Sequence, residues 1–341
     1  MTHLAPTAFT DLEFALLNRF QRDFPLVQRP YAALAQQLES TESCVIEQLQ
    51  RLRSSGAISR VGAVFRPNAV GASALAALAV PADRLEQVAA RVSALPEVNH
   101  NYERQHRFNL WFVVTAANPQ RLHTVLQQIE QTSGCGTVLV LPLIEDFHID
   151  LGFDLSARTD QRFTFGATAR PTNAPDGLAI TLDKSEQTLI AALQGGLPLL
   201  PRPFAALGLP ERQVLMLLAR WLDHGVIKRL GVIVRHHELG YRANAMVVWD
   251  VPDECVSEVG QRIAATGRVT LCYRRNRQLP NWSYNLFCMI HGKDPAEVKA
   301  RIAALDELCQ LQRYPQEILF SVRRFKQRGA HYAPTLETTD G

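Results

Sequence analysis

The sequence lacks the features that would place it in a membrane, in an oxidising compartment or around a structural metal. No stretch approaches the ~18 consecutive apolar residues that a membrane-spanning helix needs. The six cysteines are scattered and form no CxxC pair, which favours reduced thiols and gives no sign of a zinc or iron–sulfur site. The first residues lack the basic-then-apolar pattern of a secretory signal peptide. We therefore expect a cytoplasmic protein with no membrane contact and no resident metal.

An excess of charge of one sign is also missing. The chain carries 36 Lys and Arg against 33 Asp and Glu, a formal net charge of +3 at pH 7. This balance does not indicate nucleic-acid binding by itself, although a local basic patch would suffice for it. With 47% hydrophobic and 20% charged residues, the composition is typical of a soluble globular protein. The length of 341 residues is enough for two or more domains.

An internal repeat is the most informative feature of the sequence. The segment 58–65, ISRVGAVF, returns as 227–234, IKRLGVIV. Further matches keep the same register: Gly71 with Gly240, Pro81 with Pro252, Val98 with Val269, Tyr102 with Tyr273, Arg104 with Arg275 and, after a short insertion in the second copy, Asn109 with Asn285. A repeat this long is a duplicated domain, because solenoid periods are only about 20–50 residues. Two like halves indicate a fused dimer with a pseudo-twofold axis, in which any site at the seam can hold an asymmetric ligand.

The order of predicted elements is the same in both halves. In the first half, a capping box at Thr10–Glu13, a proline at Pro30 and a cap at Thr41 predict three short helices, and 58–65 predicts a strand. This order is typical of a winged helix-turn-helix. The segments that follow predict the order βαββαβ, a ferredoxin-like unit. The predicted fold class is therefore α+β, a tandem repeat of winged helix-turn-helix plus ferredoxin-like domain.

The repeat also predicts where the domains begin and end. The segment 156–178 is rich in proline, glycine and polar residues and is the predicted linker. We expect two halves of like topology rather than one continuous sheet. The tail should be poorly structured apart from a contact by Tyr332. The predicted boundaries are 1–66 and 67–155 for the winged helix and ferredoxin-like domains of the first copy, 179–235 and 236–326 for those of the second, and 327–341 for the tail.

Two protein families share this architecture. A winged helix followed by βαββαβ resembles the Lrp/AsnC regulators, which bind DNA and sense amino acids. The segment 100–112, HNYERQHRFNLWF, resembles one subunit type of siroheme decarboxylase. In the second copy, CYRR at 272–275 followed by LPNWSYNLFCMIHG at 279–292 resembles the partner type. The resemblance implies a fused enzyme that removes carbon dioxide from two acetate arms of siroheme, giving didecarboxysiroheme on the route to d-type haem.

The implied substrate makes physical demands on its site. Siroheme is a flat, apolar, carboxylate-rich macrocycle that carries an iron, so its site needs cations at the rim, apolar or aromatic walls and often an imidazole. Alternate residues of a strand share a face. The polar side chains of segment 100–106 should therefore point one way: His100, Tyr102, Arg104 and His106. In the second copy Leu271 stands where His100 stands, so we expect the two halves not to be catalytically equivalent. The second copy would then act through walls and clamps, or use a different donor such as Tyr273 or His291.

These considerations give a set of candidate site residues. The predicted catalytic residues are His100, Tyr102, His106 and Tyr273. One of the two histidines would donate a proton and the other could ligate the iron of the substrate, and the sequence leaves open which does which. No cofactor is expected, because the macrocycle itself can take up developing charge. The predicted substrate-binding residues are Arg60, Arg104, Asn109, Trp111, Arg229, Arg235, His236, Arg275, Trp282, Tyr284 and Asn285.

Alternative interpretations remain at this point. Each candidate could be an ordinary core or surface residue. The chain could also be a regulator that binds DNA and a small effector, or a tetrapyrrole sensor without catalysis. We expect no DNA binding, because the acidic and basic residues of the candidate reading helices, 41–55 and 211–223, balance to zero while phosphate neutralisation drives affinity. The pair of halves forms an intramolecular pseudo-dimer, and further dimerisation of the fused chain stays open.

Overall fold

The structure, a computed structural model, describes residues 9–149, 182–235, 241, 243–330 and 332. The predicted linker, 156–178, and His236 lie outside the described residues. The elements of the first half are α1 (Asp11–Arg19), α2 (Pro30–Gln37), α3 (Glu42–Ser54), β1 (Ile58–Phe65), β2 (Ala72–Leu78), α4 (Leu85–Ala94), β3 (Val98–Arg104), β4 (Leu110–Ala116), α5 (Pro119–Ser133) and β5 (Leu139–Ile149). Those of the second half are α6 (Lys184–Leu193), a 3-10 helix (Pro203–Ala206), α7 (Glu211–Asp223), β6 (Ile227–Val234), β7 (Ala243–Trp249), α8 (Val256–Ala265), β8 (Leu271–Arg275), β9 (Leu286–Gly292), α9 (Pro295–Cys309) and β10 (Gln316–Gln327).

The two series correspond element by element, which confirms the predicted duplication. The 3-10 helix takes the place of α2 in the second half, and a short 3-10 helix also precedes α4. Both halves begin with a capping box. The Thr10 hydroxyl accepts from the Glu13 amide at 3.2 Å, and the Glu13 carboxylate accepts from the Thr10 amide at 2.9 Å. Asp183 and Glu186 repeat this arrangement at 2.8 and 2.9 Å. The first turns are therefore fixed by local sequence.

The repeated octapeptides pair with each other. β1 and β6 form an antiparallel ribbon in which Gly62 lies opposite Gly231, and Ile58 and Phe65 lie opposite Val234 and Ile227. The pseudo-twofold axis therefore passes through the glycine pair. A Cβ at Gly231 would lie 2.5 Å from backbone atoms of Gln21, so the chain just after α1 approaches the ribbon too closely for a larger residue.

The ferredoxin-like domains join into one closed barrel. The sheet of the first half has the order β5-β2-β4-β3, and that of the second has β10-β7-β9-β8. β5 pairs with β2 over its first residues and with β8 from Leu143 onward, and β10 pairs with β7 and then with β3 from Ser321 onward. The expectation of two sheets rather than one continuous sheet is therefore wrong. The long strands β5 and β10 reach the other half because register shifts bend them as they cross.

The apolar cores explain how the site is positioned. The helix-turn-helix modules of both halves share one core with β1 and β6. α4 and α5 cover the outer face of the first sheet, and α8 and α9 cover that of the second. Inside the barrel, a further cluster closes one end; its buried members are Ala77, Phe108, Trp111, Leu139, Leu141, Met246, Val248, Trp282, Phe287 and Leu319. Within the part of the chain that the structure describes, no helix has the length and apolar character to cross a membrane.

Candidate functional site

A cavity of about 400 Å³ lies at the other end of the barrel, between the two halves and the β1–β6 ribbon. Strands of both sheets, both strands of the ribbon and the segment after β10 contribute to its walls. Apolar side chains make up much of the lining, as in sites for flat organic molecules. Its polar side chains include those of His100, Tyr102, Tyr273, Tyr332, His291, Gln194 and Asn244 and six arginines, Arg60, Arg104, Arg229, Arg235, Arg275 and Arg328.

Two tyrosine–arginine pairs among the predicted site residues line the cavity from opposite halves. The Arg104 guanidinium lies 5.7 Å from the Tyr102 ring centroid, and that of Arg275 lies 5.1 Å from Tyr273. Each arginine also donates to a strand of the other half: Arg104 Nη1 to the Leu319 carbonyl at 2.9 Å, and Arg275 Nη1 to the Leu141 carbonyl at 2.8 Å. These bonds anchor both guanidinium groups across the seam. Burial lowers the pKa of each arginine to about 10.

The remaining arginines make the cavity strongly cationic. Arg60 and Arg229 extend from β1 and β6, and Arg235 follows β6, as predicted. Burial, reinforced by Arg22 and Arg60, lowers the pKa of Arg229 to about 9. Among the described residues that line the cavity there is no aspartate or glutamate. Cations crowded in a low-dielectric space favour an anionic ligand, because each added carboxylate offsets repulsion and desolvation.

His100 provides an imidazole on the first-half wall. It lies on β3 with its ring stacked at 6.3 Å from that of Tyr102. Surrounding protein desolvates the ring and lowers the pKa of His100 to about 4, so the free protein holds it neutral at pH 7. Leu271 takes the equivalent position and also lines the cavity. The two walls therefore differ chemically, as expected.

His106 does not share the face of His100, and that prediction is wrong. β3 ends at Arg104, and the chain turns so that the His106 amide donates to the Arg104 carbonyl at 2.9 Å. The His106 ring packs edge-on against Trp282 at 5.5 Å, outside the lining of the cavity. The strand alternation behind the prediction applies only as long as the strand continues.

Four predicted substrate-binding residues have structural roles instead. The Asn109 amide bonds to the backbone N–H and carbonyl of Val80, both at 2.9 Å. Asn285 does the same for Val251, at 3.0 and 2.9 Å. Trp282 lies in the barrel-end cluster with Tyr284 packed against it at 5.1 Å. Like His106, these four are absent from the cavity lining. Trp111 does line the cavity, while its indole N–H donates to the Phe108 carbonyl at 2.6 Å.

The structure adds cavity residues that the sequence analysis did not select. Tyr332 packs edge-on against Phe65 at 5.7 Å, and its amide donates to Gln194 at 2.6 Å. Gly329 lies so close to Arg60 that a Cβ would approach the guanidinium to 2.5 Å. Residues 327–330 and Tyr332 thus form part of the cavity wall, and Tyr332 makes the expected contact. The other residues of the predicted tail lie outside the described residues. His291 of β9, which the sequence analysis named only as an alternative donor, also lines the cavity.

Comparisons with known proteins agree with this geometry. The family model for the AsnC-like ligand binding domain matches residues 69–148 and 238–326. The model for the siroheme decarboxylase NirDL-like HTH domain matches residues 13–58 and 186–228. The siroheme decarboxylase NirDL subunit of Paracoccus denitrificans (strain Pd 1222) is 44% identical over 95% of this chain and 98% of its own length. The chain belongs to the siroheme decarboxylase family.

Other siroheme decarboxylases show both the fused and the split arrangement. The NirD subunit of Stutzerimonas stutzeri is 49% identical over 41% of this chain and 91% of its own length, so a separate chain corresponds to about one half. The crystal structure of the siroheme decarboxylase NirDL in complex with an iron-uroporphyrin III analogue matches with a TM-score of 0.67 and 29% identity. That match covers 95% of this chain and 94% of the other. The family therefore includes proteins of this whole architecture.

Proposed function

We propose that the protein removes carboxyl groups as carbon dioxide from siroheme acetates, giving didecarboxysiroheme for d-type haem synthesis, and that the arginine-lined cavity binds this substrate. The observation that carries the proposal is the composition of the cavity. It joins apolar walls, six arginines and no described carboxylate around one cavity. A carboxylate-rich, flat macrocycle matches these walls in shape and charge.

The reaction needs little from the protein beyond binding and one proton for each carboxyl group. In each step the bond between CH₂ and COO⁻ breaks, the macrocycle takes up the electron pair, CO₂ leaves, and a proton converts the carbon to a methyl group. Arg104 and Arg275 orient the carboxylates, with Tyr102 and Tyr273 beside them. His100 supplies a proton once bound carboxylates have raised its pKa. We therefore propose no cofactor, and the iron belongs to the substrate.

The direct test is anaerobic incubation of the protein with siroheme, followed by the product mass. We expect loss of the mass of two carboxyl groups as CO₂. Siroheme that binds but keeps its mass would support a tetrapyrrole sensor instead. Siroheme that neither binds nor reacts would refute the assignment of the cavity.

Replacement of Arg275 with alanine should weaken siroheme binding more than it slows the chemistry. Charge-assisted hydrogen bonds contribute about 1.5–3 kcal/mol, so Kd should rise roughly ten- to a hundredfold. A clamp that acts on ground and transition states alike leaves the rate constant at saturation nearly unchanged. Titration and single-turnover kinetics measure the two effects separately.

Arg277 offers a matched control for this substitution. It lies two residues along the chain, outside the cavity lining, and its guanidinium bonds to Asp250 at 2.7 Å. Arg277→Ala should leave the Kd for siroheme near that of the parent. An Arg275→Ala variant with parent affinity and no single-turnover reaction would show that Arg275 acts in the chemical step.

A further inference from the structure

The two halves present histidines to the cavity from positions that the repeat does not relate. His100 lies on β3, and its counterpart in the second half is Leu271. The second half instead contributes His291, near the end of β9. In the register that aligns Asn109 with Asn285, the counterpart of His291 is Thr115. Among the described residues that line the cavity, one imidazole therefore stands on each half, on different strands.

The Thr270 hydroxyl holds the His291 ring from one edge. Its oxygen lies 3.0 Å from the Met289 carbonyl oxygen and 3.0 Å from His291 Nδ1, so the hydroxyl and the imidazole share a hydrogen bond. Thr270 thus orients the ring on the cavity wall that His291 lines.

The equivalent pair in the first half carries no titratable group. Asn99, the counterpart of Thr270, donates through Nδ2 to the Thr115 hydroxyl at 2.6 Å. Both residues are buried. The fold therefore needs only a polar pair at this site, and an uncharged pair is sufficient. At the position equivalent to Thr115, the second half carries His291. Packing does not require a histidine there, so His291 adds an imidazole to the cavity wall.

We infer that His291 is a second proton donor of the cavity, so that His100 protonates the carbon left by one acetate and His291 the carbon left by the other. The inference rests on the proposed function. Each CO₂ loss consumes one proton, and the two acetates hang at different places on a rigid ring. Two imidazoles on opposite halves can serve both places without release and rotation of the macrocycle, whereas one imidazole cannot.

The test compares His291→Gln and His100→Gln in anaerobic single-turnover reactions with enzyme in excess over siroheme. The products are separated and identified by mass and NMR. Each variant should lose one CO₂ at a rate near that of the parent and the other about 10²–10⁴-fold more slowly, the usual effect of a general acid. The two monodecarboxylated products should be different regioisomers. Thr270→Val keeps the imidazole but removes its partner, and it should slow only the step that His291→Gln slows.

Several results would overturn the inference. If His100 were the single donor, His100→Gln would slow both losses of CO₂ and His291→Gln would slow neither. Formation of the same regioisomer by both variants would also contradict two donors. If His291→Gln does not fold, His291→Thr restores the residue of the first half and must show the same single block. A parent protein that releases no CO₂ would overturn the proposed function as well, whereas a normal parent beside a normal His291→Gln variant overturns only the second donor.

Discussion

A His100→Gln variant should lose one of the two carboxyl groups about 10²–10⁴-fold more slowly than the parent protein. Glutamine keeps a polar side chain of similar size but has no ring nitrogen that can carry and release a proton. His100 lines the cavity beside Tyr102, within the same wall as Arg104. Single-turnover decay of siroheme, followed by product mass, measures the effect.

The pH dependence of the same reaction gives a second measurement of His100. Burial lowers the pKa of His100 to about 4 in the free protein, and bound carboxylates oppose that shift. The donor is the protonated form, so the rate constant at saturation should be highest below the pKa of the complex and fall as pH rises through it. In the His100→Gln variant, the rate constant of the slow step should not show this fall with rising pH.

His106→Gln is the matched control, since it makes the same substitution at a histidine outside the cavity lining. Its rate constants should stay within about twofold of the parent, a margin far below the effect of losing a general acid. If His106→Gln slowed the reaction strongly while His100→Gln reacted like the parent, the proton would come from the other end of the barrel.

Replacement of Trp282 with alanine should destabilise the protein by about 3–5 kcal/mol, the usual cost of removing a large aromatic side chain from a core. Trp282 is 2% exposed and contacts Trp111 at 5.1 Å and Phe287 at 6.1 Å between ring centroids. Its indole thus joins the two sheets inside the barrel. Denaturant unfolding monitored by circular dichroism measures the change in the free energy of unfolding.

Leu279 provides the control for this prediction. It belongs to the same second-half loop but is 69% exposed, so Leu279→Ala should change stability by less than about 0.5 kcal/mol. At a temperature where it remains folded, Trp282→Ala should bind siroheme with near-parent affinity. A large loss of affinity with unchanged stability would restore Trp282 to the substrate site.

The sequence was sufficient for features that depend on local pattern and on the repeat. The capping box at Thr10–Glu13 and the strand at 58–65 follow from short-range spacing. The matched Tyr102–Arg104 and Tyr273–Arg275 pairs follow from the repeat. The closed barrel was missed because the pairing of β5 with β8 depends on bends at register shifts, which alternation does not encode. His291 was only an alternative donor in the sequence analysis, because its partner Thr270 lies 21 residues away in the chain, just before β8.

The asparagines show a different limit. Asn109 and Asn285 recur in register because each ties down a neighbouring backbone segment, through Val80 and Val251. A recurring polar residue beside a substrate motif therefore looks the same in sequence whether it binds a ligand or holds the chain. Only its hydrogen-bond partners separate the two cases.

Closure of the barrel also has a consequence for stoichiometry. Each four-stranded sheet completes its edges only through the other half, at the β3–β10 and β5–β8 seams. Two unlinked copies of one half would offer the same edges to each other, and the resulting barrel would hold two His100 or two His291. Because one polypeptide carries both halves, a barrel closed within the chain contains one of each. Covalent fusion thereby ensures that every barrel closed within one chain has one wall of each kind.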